Sequence, residues 1–575
     1  MPDIFAAANP ATRTPDWWKS AVVYQVYPRS FCDSDGDGVG DIRGIIARLD
    51  HLEALGVDAV WLSPVYKSPQ DDNGYDISDY QDVDPLFGTL ADLDELIDGL
   101  HSRGMKLVMD LVVNHTSDEH AWFQESRDPN SDKADWYWWA DPRPGFEPNT
   151  PGAEPTNWAS AFSGPAWHWD EQRGQYYLHL FSRKQPDLNW ENPQVRQAVY
   201  RMMQWWIDRG VDGFRMDVIN LISKQLPLSD GVAMPGQALS WDNGYVDGPR
   251  MDEFLHEMNQ AVLDGNHLLT VGEAPGVTVE QASKYTDPAR QELGMVFQFE
   301  HVGLDEVPGS GKWALQQLHL PDLKQNLAKW QDGLEGRGWN SLYWDNHDQP
   351  RIVSRWGDDS EEHRVNSAKT LATTLHLLKG TPYVYQGEEI GMTNAGFTAI
   401  DQYRDIEILN HYREATALGA DEAELLKSYA VKGRDNARYP MHWDDSEHAG
   451  FTTGTPWLPV HANKASVNAA AAVADPDSIF HHYRHLIALR HGDEPVNQIV
   501  REGVFALLEP DHEQLFAYTR TLDGVGALLV LANFSGTACE LPGTLPRGGE
   551  LVLGTHPDPD AGMLAAWESR IIRLS

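Results

Sequence analysis

Short apolar runs, separated by longer amphipathic stretches, recur along the chain as far as residue 391. The runs are apolar on both faces, which is typical of parallel strands covered by helices. They are AVVYQVYP (21–28), GVDAVWLSP (56–64), MKLVMDLVVNH (105–115), GVDGFRMDVI (210–219), HLLTVGE (267–273), LGMVFQFE (293–300), WNSLYWDNHD (339–348) and TPYVYQGEEIG (381–391). The pattern therefore predicts eight strands.

Amphipathic segments lie between these runs. The spacing of apolar residues predicts a helix over 89–104, with a capping box formed by Thr89 and Asp92 and a stop at Gly104. A second helix is predicted over 41–57. Eight strand-then-helix units indicate an α/β fold of the (β/α)₈ TIM barrel type. An open doubly wound sheet is the alternative.

Two parts of the chain depart from this alternation. Residues 115–187 are rich in Pro, Asn and Trp and show no helical period, so we expect an inserted subdomain after strand three. From residue 495 the pattern becomes alternating strands with turn signals, which predicts a C-terminal antiparallel β domain over 495–575. The barrel is then built from 1–114 and 188–494.

Net charge and composition limit the kinds of molecule that the protein is expected to bind. The formal net charge of −41 over 575 residues repels nucleic acid and anionic lipid, and a neutral ligand is favoured. The chain shows neither a secretory signal nor an apolar run of the roughly 18 residues that span a membrane. Cys32 and Cys539 are the two cysteines, and we expect free thiols. We expect a cytoplasmic protein, either a monomer or a weak dimer.

Ionisable residues end several predicted strands, where barrel enzymes carry their active sites. They are Asp110, Asn114, His115, Arg215, Asp217, Glu273, His347 and Asp348. Several carboxylates facing a neutral polar ligand is the arrangement that glycoside cleavage requires. Arg215 and Asp217 share one face of a strand, so we expect the cation to keep Asp217 ionised as the nucleophile. Glu273 follows an apolar run, which predicts a raised pKa and the acid/base role. The alternative is a structural Arg–Asp pair with a helix-capping Glu.

Several motifs together resemble the α-amylase family of glycoside hydrolases, over nearly the whole chain from Trp17. They are DLVVNH (110–115), QPDLN (185–189), GFRMDVI (213–219), VGEAPGVT (271–278) and NHDQPR (346–351). The motifs WWKSAVVYQVYPRSF, DNGYDISDY, YQGEEIGMTN and GRDNAR narrow the resemblance to the oligo-1,6-glucosidase and dextran glucosidase group. The resemblance implies a retaining mechanism that releases α-linked glucose from the non-reducing end.

The resemblance also implies roles for single residues. Asp217 matches the nucleophile, Glu273 the acid/base, and Asp348 a residue that binds sugar hydroxyls and helps to distort the ring. Arg215 would orient Asp217. Further substrate-binding positions are His115, His347, Asp72, Tyr75 and Arg438. Tyr75 offers a stacking face, and Asp72 with Arg438 would hold the 4-hydroxyl. The alternatives for these last positions are a surface turn and an exposed salt bridge.

Linkage preference is predicted from Val218, which follows the nucleophile. In similar enzymes Val here accompanies α-1,6 cleavage, whereas Ala or Thr accompanies α-1,4 cleavage; an ordinary strand position is the alternative. The chain departs from the group at Tyr439, His442 and Asp345. None of these departures falls on a predicted catalytic residue, and they concern the subsite that would bind the acceptor.

The segment DSDGDGVGD (33–41) alternates carboxylates with glycines, as in the first half of an EF-hand loop. Position 12 of such a loop would be Gly44, so a complete EF-hand is excluded. Related glucosidases carry Ca²⁺ here, which implies a structural ion bound by Asp33, Asp35, Asp37, the Val39 carbonyl and Asp41. An empty acidic turn is the alternative. No organic cofactor is expected.

We therefore predict an exo-acting α-glucosidase that hydrolyses isomaltose and short isomalto-oligosaccharides. Rivals within the family are a maltase, a transglucosylase and a sucrose isomerase. The isomerases carry an Arg-rich segment after strand six, whereas residues 299–313 contain no arginine. A non-catalytic binding protein would be expected to lose catalytic carboxylates, and this chain retains them.

Overall fold

Eight parallel strands form the centre of the molecule. The computed structural model describes residues 14–233, 238–241, 244–557 and 562–574. The barrel strands are β1 (Val23–Val26), β2 (Ala59–Leu62), β3 (Lys106–Val112), β4 (Gly213–Asp217), β5 (Leu269–Glu273), β6 (Met295–Phe297), β7 (Ser341–Leu342) and β8 (Thr381–Tyr385). All eight predicted strands are confirmed, although the seventh retains regular pairing over two residues only.

The sheet closes on itself. β1 pairs with both β2 and β8, so it has no free edge. A bridge between Val296 and Asn340 joins β6 to the chain entering β7. The nearly closed barrel excludes the open doubly wound sheet and directs the carboxyl ends of all eight strands to one face.

Helices cover the outside of the barrel and continue into its loops. The α-helices are Ile42–Ile46, Leu49–Leu55, Leu90–Ser102, Ala121–Ser126, Pro193–Arg209, Met251–Met258, Val279–Tyr285, Leu320–Leu334, Ile352–Arg355, Arg364–His376, Ile406–Ala417, Glu422–Lys432, Asp435–Arg438, Ala469–Ala474, Ile479–Ala488 and Pro495–Glu502. The predicted helix over 89–104 is confirmed, with Thr89 and Asp92 forming the capping box.

The single helix predicted over 41–57 is wrong, because the chain forms two helices there. The amide of Arg48 donates to Ile45 O at 2.9 Å, which is a tight i to i−3 turn. This turn ends the first helix and redirects the chain before Leu49.

The inserted subdomain is a small sheet over the carboxyl end of the barrel. Its strands are Trp139–Ala140, Trp167–Asp170 and Gln175–Leu178, and the last lies between the other two. An antiparallel bridge between His115 and Asp187 places the entry and exit of the subdomain side by side. A two-stranded ribbon, Tyr66–Lys67 with Asp79–Val83, lies in the loop after β2.

A separate antiparallel sheet follows the barrel, as predicted. Its strands are Val504–Leu508, Leu515–Leu522, Gly526–Asn533, Ser569–Arg573 and Glu550–Gly554, in that spatial order, and Cys539–Glu540 pairs with Met563–Leu564 nearby. The helix Pro495–Glu502 precedes the first strand. Cys32 and Cys539 are both free and buried. Within the described residues, no helix is long and apolar enough to cross a bilayer.

Candidate active site

One buried guanidinium joins the ends of three neighbouring strands. Arg215 Nη1 lies 2.9 Å from Asp110 Oδ1 on β3 and 2.6 Å from Asp217 Oδ1 on its own strand. Arg215 Nη2 lies 2.8 Å from Glu273 Oε2 at the end of β5. The predicted convergence of strand-end carboxylates is therefore present, because β3, β4 and β5 are adjacent in the barrel.

Burial controls the protonation of the two central carboxyls. It raises the pKa of Glu273 to about 8, and the charges of Asp217 and Asp348 add to this effect against that of Arg215. Glu273 is thus protonated at neutral pH, as its apolar run predicts. Burial also raises the pKa of Asp217, despite Arg215. Arg215 acts in the predicted direction, because its charge lowers the pKa of Asp217 and favours the ionised form against burial.

Asp348 has the opposite electrostatic environment. Burial would raise its pKa, but the charges of Arg434 and Arg438 hold the pKa well below its usual range. Burial lowers the pKa of His347 to about 3, so this imidazole is neutral and the two arginines supply the positive charge. Asp348 is therefore an anion whereas Glu273 is protonated, so the site holds both an acid and a fixed negative charge.

Val218 contributes to the site through its main chain as well as its side chain. Its amide donates to Glu273 Oε2 at 3.0 Å and so positions the acid. The residue has φ +35° and ψ +41°, a left-handed conformation that is rare for a β-branched residue and costs on the order of 1–3 kcal/mol. Its side chain is buried and lines the catalytic cavity. The backbone strain and the burial of Val218 argue against the alternative that it is an ordinary strand residue.

The cavity at the carboxyl end of the barrel has a volume of about 190 Å³. Its acidic lining residues are Asp72, Asp217, Glu273, Asp348 and Glu407. Aromatic side chains from β2–β3 loops and the inserted subdomain complete the wall: Tyr75, Phe162 and Phe181. A small cavity with apolar rings and convergent polar groups is typical of a site for a small polar ligand.

The arginine beside Asp72 differs from the predicted one. Arg434 Nη2 lies 3.5 Å from Asp72 Oδ1, whereas Arg438 Nη2 lies 2.5 Å from Asp348 Oδ1. Arg438 is fully buried and lies behind Asp348, because the helix Asp435–Arg438 directs it there. Arg434 therefore contacts Asp72 and Arg438 contacts Asp348, and the joint role of Asp72 and Arg438 at the 4-hydroxyl stays a prediction.

Tyr75 and His347 form one stacked unit. Their rings are parallel within 3° with centroids 5.2 Å apart. The Tyr75 hydroxyl donates to Asp110 Oδ2 at 2.9 Å, and Gln25 Nε2 lies 2.8 Å from His347 Nδ1. Both rings are thus held rigidly, and Tyr75 also lines the cavity as a stacking surface.

His115 lines the cavity from the end of the chain segment that follows β3. Burial lowers its pKa to about 4, so the ring is neutral. Gln185 Nε2 lies 3.2 Å from His115 Nε2 and donates to Asp72 Oδ2 at 3.2 Å. Gln185 therefore links two predicted sugar-binding side chains.

Several residues of the site were not singled out from the sequence. Arg434 and Gln185 lie in GRDNAR and QPDLN, so their motifs were visible although their roles were not. Phe162 and Lys312 come from irregular loops that no periodic pattern marks. Loop residues of this kind become identifiable only when the fold brings them to the cavity.

The carboxylates of the acidic loop 33–41 are held by main-chain amides, unlike those of the catalytic cavity. The carboxylate oxygens of Asp33, Asp35 and Asp37 lie within 4.8 Å of one another. Each of them also accepts main-chain amides, for example Gly36 N on Asp33 Oδ1 at 2.8 Å. Close, hard oxygen donors of this kind fit a Ca²⁺ ion.

The other two predicted ligands have further roles in this loop. Asp41 Oδ1 accepts from Gly44 N at 2.7 Å and caps the helix Ile42–Ile46, while its Oδ2 accepts from Ser34 N. Among the described residues, Asp41 lies outside the group of three clustered carboxylates. The amide of Val39 donates to Asp37 Oδ1 at 2.8 Å.

Comparison with known proteins supports this geometry. Residues 25–500 match the α-amylase catalytic domain family, and residues 505–571 match a domain family of unknown function. The oligo-1,6-glucosidase of Parageobacillus thermoglucosidasius is 55% identical over 97% of this chain and 99% of its own.

Solved structures show the same architecture. The trehalose-6-phosphate hydrolase of Bacillus licheniformis superposes with a TM-score of 0.90 at 46% identity, over 98% of this chain and 100% of that one. The trehalulose synthase of Pseudomonas mesoacidophila superposes with a TM-score of 0.91 at 40% identity, with the same coverage. The chain belongs to the α-amylase family and is a glycoside hydrolase related to oligo-1,6-glucosidases and α-glucosidases.

Proposed function

We propose that the protein is an exo-acting, retaining α-glucosidase that removes α-1,6-linked glucose from the non-reducing end of isomaltose and isomalto-oligosaccharides. The observation that carries this proposal is the guanidinium of Arg215, which binds Asp217 and Glu273 on its two terminal nitrogens. Two carboxyls that share one guanidinium favour the retaining arrangement, in which they lie about 5–5.5 Å apart, over the wider separation that holds a water in inverting enzymes.

The mechanism follows from the two protonation states. Asp217 attacks the anomeric carbon and forms a glycosyl ester, while protonated Glu273 gives its proton to the departing glycosidic oxygen. Glu273, now a carboxylate, takes a proton from water, and the oxygen of that water displaces Asp217. Asp348 binds sugar hydroxyls beside the reacting carbon, and the Val218 amide keeps Glu273 in place.

Exo-action is supported by the closed side of the cavity. Asp72 and Arg434 line the cavity there, with Arg434 Nη2 3.5 Å from Asp72 Oδ1, and the fully buried Gln185 supports Asp72 by donating to its Oδ2 at 3.2 Å. These groups offer one acceptor and several donors to the hydroxyls of a terminal glucose. We assign them, with His115 and His347, to the recognition of the non-reducing end.

The α-1,6 preference rests on Val218. Its branched side chain belongs to a buried apolar cluster with Trp138, Leu221 and Tyr245 and lines the cavity. Compared with alanine or threonine, valine reduces the space in this part of the cavity or offers no hydrogen bond to a secondary hydroxyl of the substrate. We expect this to disfavour the binding of substrates whose leaving group is α-1,4-linked.

A phosphorylated substrate, such as a trehalose-6-phosphate hydrolase accepts, is less well supported. The two cations on the cavity wall are already neutralised: Lys312 Nζ lies 2.6 Å from Glu407 Oε2, and Arg434 Nε lies 3.0 Å from Asp405. Since phosphate binding requires cations that are free to pair with it, a neutral sugar fits this wall better.

We also propose that the loop 33–41 binds a structural Ca²⁺ ion. Its donors would be Asp33, Asp35 and Asp37, with Asp41 and the Val39 carbonyl completing the set. The ion would cross-link the loop after β1 to Thr452, whose hydroxyl donates to Asp33. It would supply no chemistry to the cleavage, because it lies outside the cavity lining.

The test is glucose release from isomaltose, maltose, sucrose and trehalose-6-phosphate in parallel assays. We expect isomaltose to be preferred over maltose by at least about tenfold in kcat/KM, which corresponds to ~1.4 kcal/mol. In Val218→Ala the preference should move towards maltose with the melting temperature almost unchanged. Preference of the wild type for maltose, formation of isomaltulose, or mainly longer oligosaccharide products would overturn the proposal.

A further inference from the structure

A second cavity lies where the barrel meets the inserted subdomain. Its volume is about 650 Å³, and it shares no lining residue with the catalytic cavity. Tyr80 from the ribbon after β2, Trp122 from the helix Ala121–Ser126 and Trp136 form its aromatic wall. We propose that this cavity is a second, non-catalytic binding site for a neutral saccharide.

The aromatic wall is built to receive a flat, partly apolar ligand. Trp122 and Trp136 meet edge to face with centroids 5.0 Å apart, and Trp122 lies 5.8 Å from Tyr80. Trp122 is only partly buried, whereas the other two rings are buried behind it. The C–H face of a pyranose ring matches such a surface, as it combines an apolar face with a polar edge.

Two hydrogen-bond donors at this wall are unused. The Nδ1 atom of His120 accepts from the amide of Trp122 at 3.0 Å, so its hydrogen is on Nε2. In the described part of the chain neither His120 Nε2 nor the indole N–H of Trp122 has a partner, and neither is sealed from solvent. His120 itself is 5% exposed and lines the cavity. A nearly buried ring with a free N–H is a preformed donor for a hydroxyl.

Charge selects a neutral ligand. Burial and the neighbouring Lys133 lower the pKa of His120 to about 3, so this ring carries no charge. Lys133 Nζ lies 2.5 Å from Glu125 Oε2 and is neutralised. The remaining charged lining residues, Asp79 and Arg201, are exposed and of opposite sign. An anionic ligand would also meet the net charge of −41.

The second cavity is connected to the catalytic one through Tyr80. Its hydroxyl donates to the carbonyls of Val112 and His115, at 2.8 Å and 3.1 Å, and so holds the main chain that presents His115. A saccharide that packs on Trp122 also restrains Tyr80 behind it. We therefore expect that saccharide binding in the second cavity changes KM for isomaltose hydrolysis more than it changes kcat.

The test uses Asp217→Asn, which cannot turn over its ligand. Isomaltose is titrated by saturation-transfer NMR while the catalytic cavity is filled with deoxynojirimycin, a basic glucose analogue. We expect a residual isomaltose signal that is weakened about tenfold in affinity by Trp122→Ala and partly retained in Trp122→Phe. The matched control is Trp205→Ala, which removes a partly exposed tryptophan outside this cavity.

The proposal rests on the glycoside hydrolase assignment and not on the α-1,6 preference, so maltose is used as a second probe. Absence of a residual signal with both sugars, or equal signals in the Trp122→Ala and Trp205→Ala proteins, would overturn it. Wild-type hydrolysis of isomaltose is measured separately, so failure of the linkage proposal is recognised independently. The melting temperature of each variant reports on folding.

Discussion

The catalytic cavity and the loop 33–41 are both rich in carboxylates, yet different partners hold these carboxylates in place. In the cavity, Asp217 and Glu273 are buried against Arg215, and the partly exposed Asp348 is paired with two further arginines. In the loop, Asp33, Asp35 and Asp37 are held by main-chain amides, and no ion pair involves them within the described residues.

The difference shows what each kind of partner makes possible. A buried guanidinium fixes the orientation of a carboxyl while burial moves its pKa towards neutrality, which suits proton transfer. Amides orient a carboxylate without cancelling its charge, so oxygen lone pairs and negative potential remain for a cation. The same residue type is therefore suited to catalysis in one place and, as we propose, to metal binding in the other.

The largest effect is expected for the nucleophile. Asp217→Asn keeps a contact to Arg215 but cannot form the glycosyl ester, so kcat for isomaltose should fall by about 10⁴-fold or more. The measurement is glucose release, with the melting temperature as a control for folding. Asp208→Asn, an exposed aspartate, is the matched control and should retain activity. If the Asp217→Asn protein kept a tenth of the activity, the assignment of the nucleophile would be wrong.

The pH profile distinguishes the two buried carboxyls. Glu273 must be protonated, and its pKa is raised to about 8, so kcat/KM should fall as pH rises through that value. Asp217 must be ionised, so activity should also fall on the acid side. In Glu273→Gln the alkaline limb should disappear, and an aryl glucoside with a good leaving group should lose less activity than isomaltose. An unchanged alkaline limb in this variant would assign it to another group.

The acidic loop predicts a moderate effect on stability. Free Ca²⁺ at a hundredfold excess over its Kd would stabilise the folded state by about 2.7 kcal/mol. The melting temperature should therefore rise when Ca²⁺ is added to chelated protein, and this rise should be lost in Asp37→Asn. Burial and the neighbouring carboxylates raise the pKa of Asp37, so the effect should weaken towards acid pH. Equal melting temperatures in chelator and in Ca²⁺ would exclude the ion.

The smallest effect concerns a buried pair of carboxyls, Asp345 and Glu388, which forms no salt bridge with an arginine among the described residues. Burial raises the pKa of both Asp345 and Glu388, which are hydrogen-bonded to each other. A raised pKa in the folded state contributes stability at low pH that is lost as pH rises through the folded value. Asp345→Asn should therefore stabilise the protein by about 1 kcal/mol on the alkaline side only. Melting curves across pH test this, and a shift equal at all pH values would contradict it.

The barrel could be predicted from the sequence, because its strands are short apolar runs that recur regularly along the chain. The capping box at Thr89 and the convergence of Asp217 and Glu273 follow from local spacing together with the rule that barrel strands end at one face. Predictions that rest on one strand and its neighbours were the ones confirmed.

Contacts between distant loops could not be obtained in this way. Arg434 and Arg438 are four residues apart on the chain, and the motif does not say which of them reaches Asp72. The break at Arg48 and the capping role of Asp41 depend on main-chain hydrogen bonds that composition does not reveal.

The chain's periodicity predicts the barrel, its motifs indicate the family, and its strand-end residues supply the candidate reacting carboxyls, because these depend on short-range patterns and on residue chemistry. The folded molecule establishes the protonation order of Glu273 and Asp348, the strained Val218 and the aromatic cavity at Trp122. These properties arise from burial and from the meeting of segments far apart in sequence. Desolvation and long-range contact are features of three-dimensional packing, which no local pattern records.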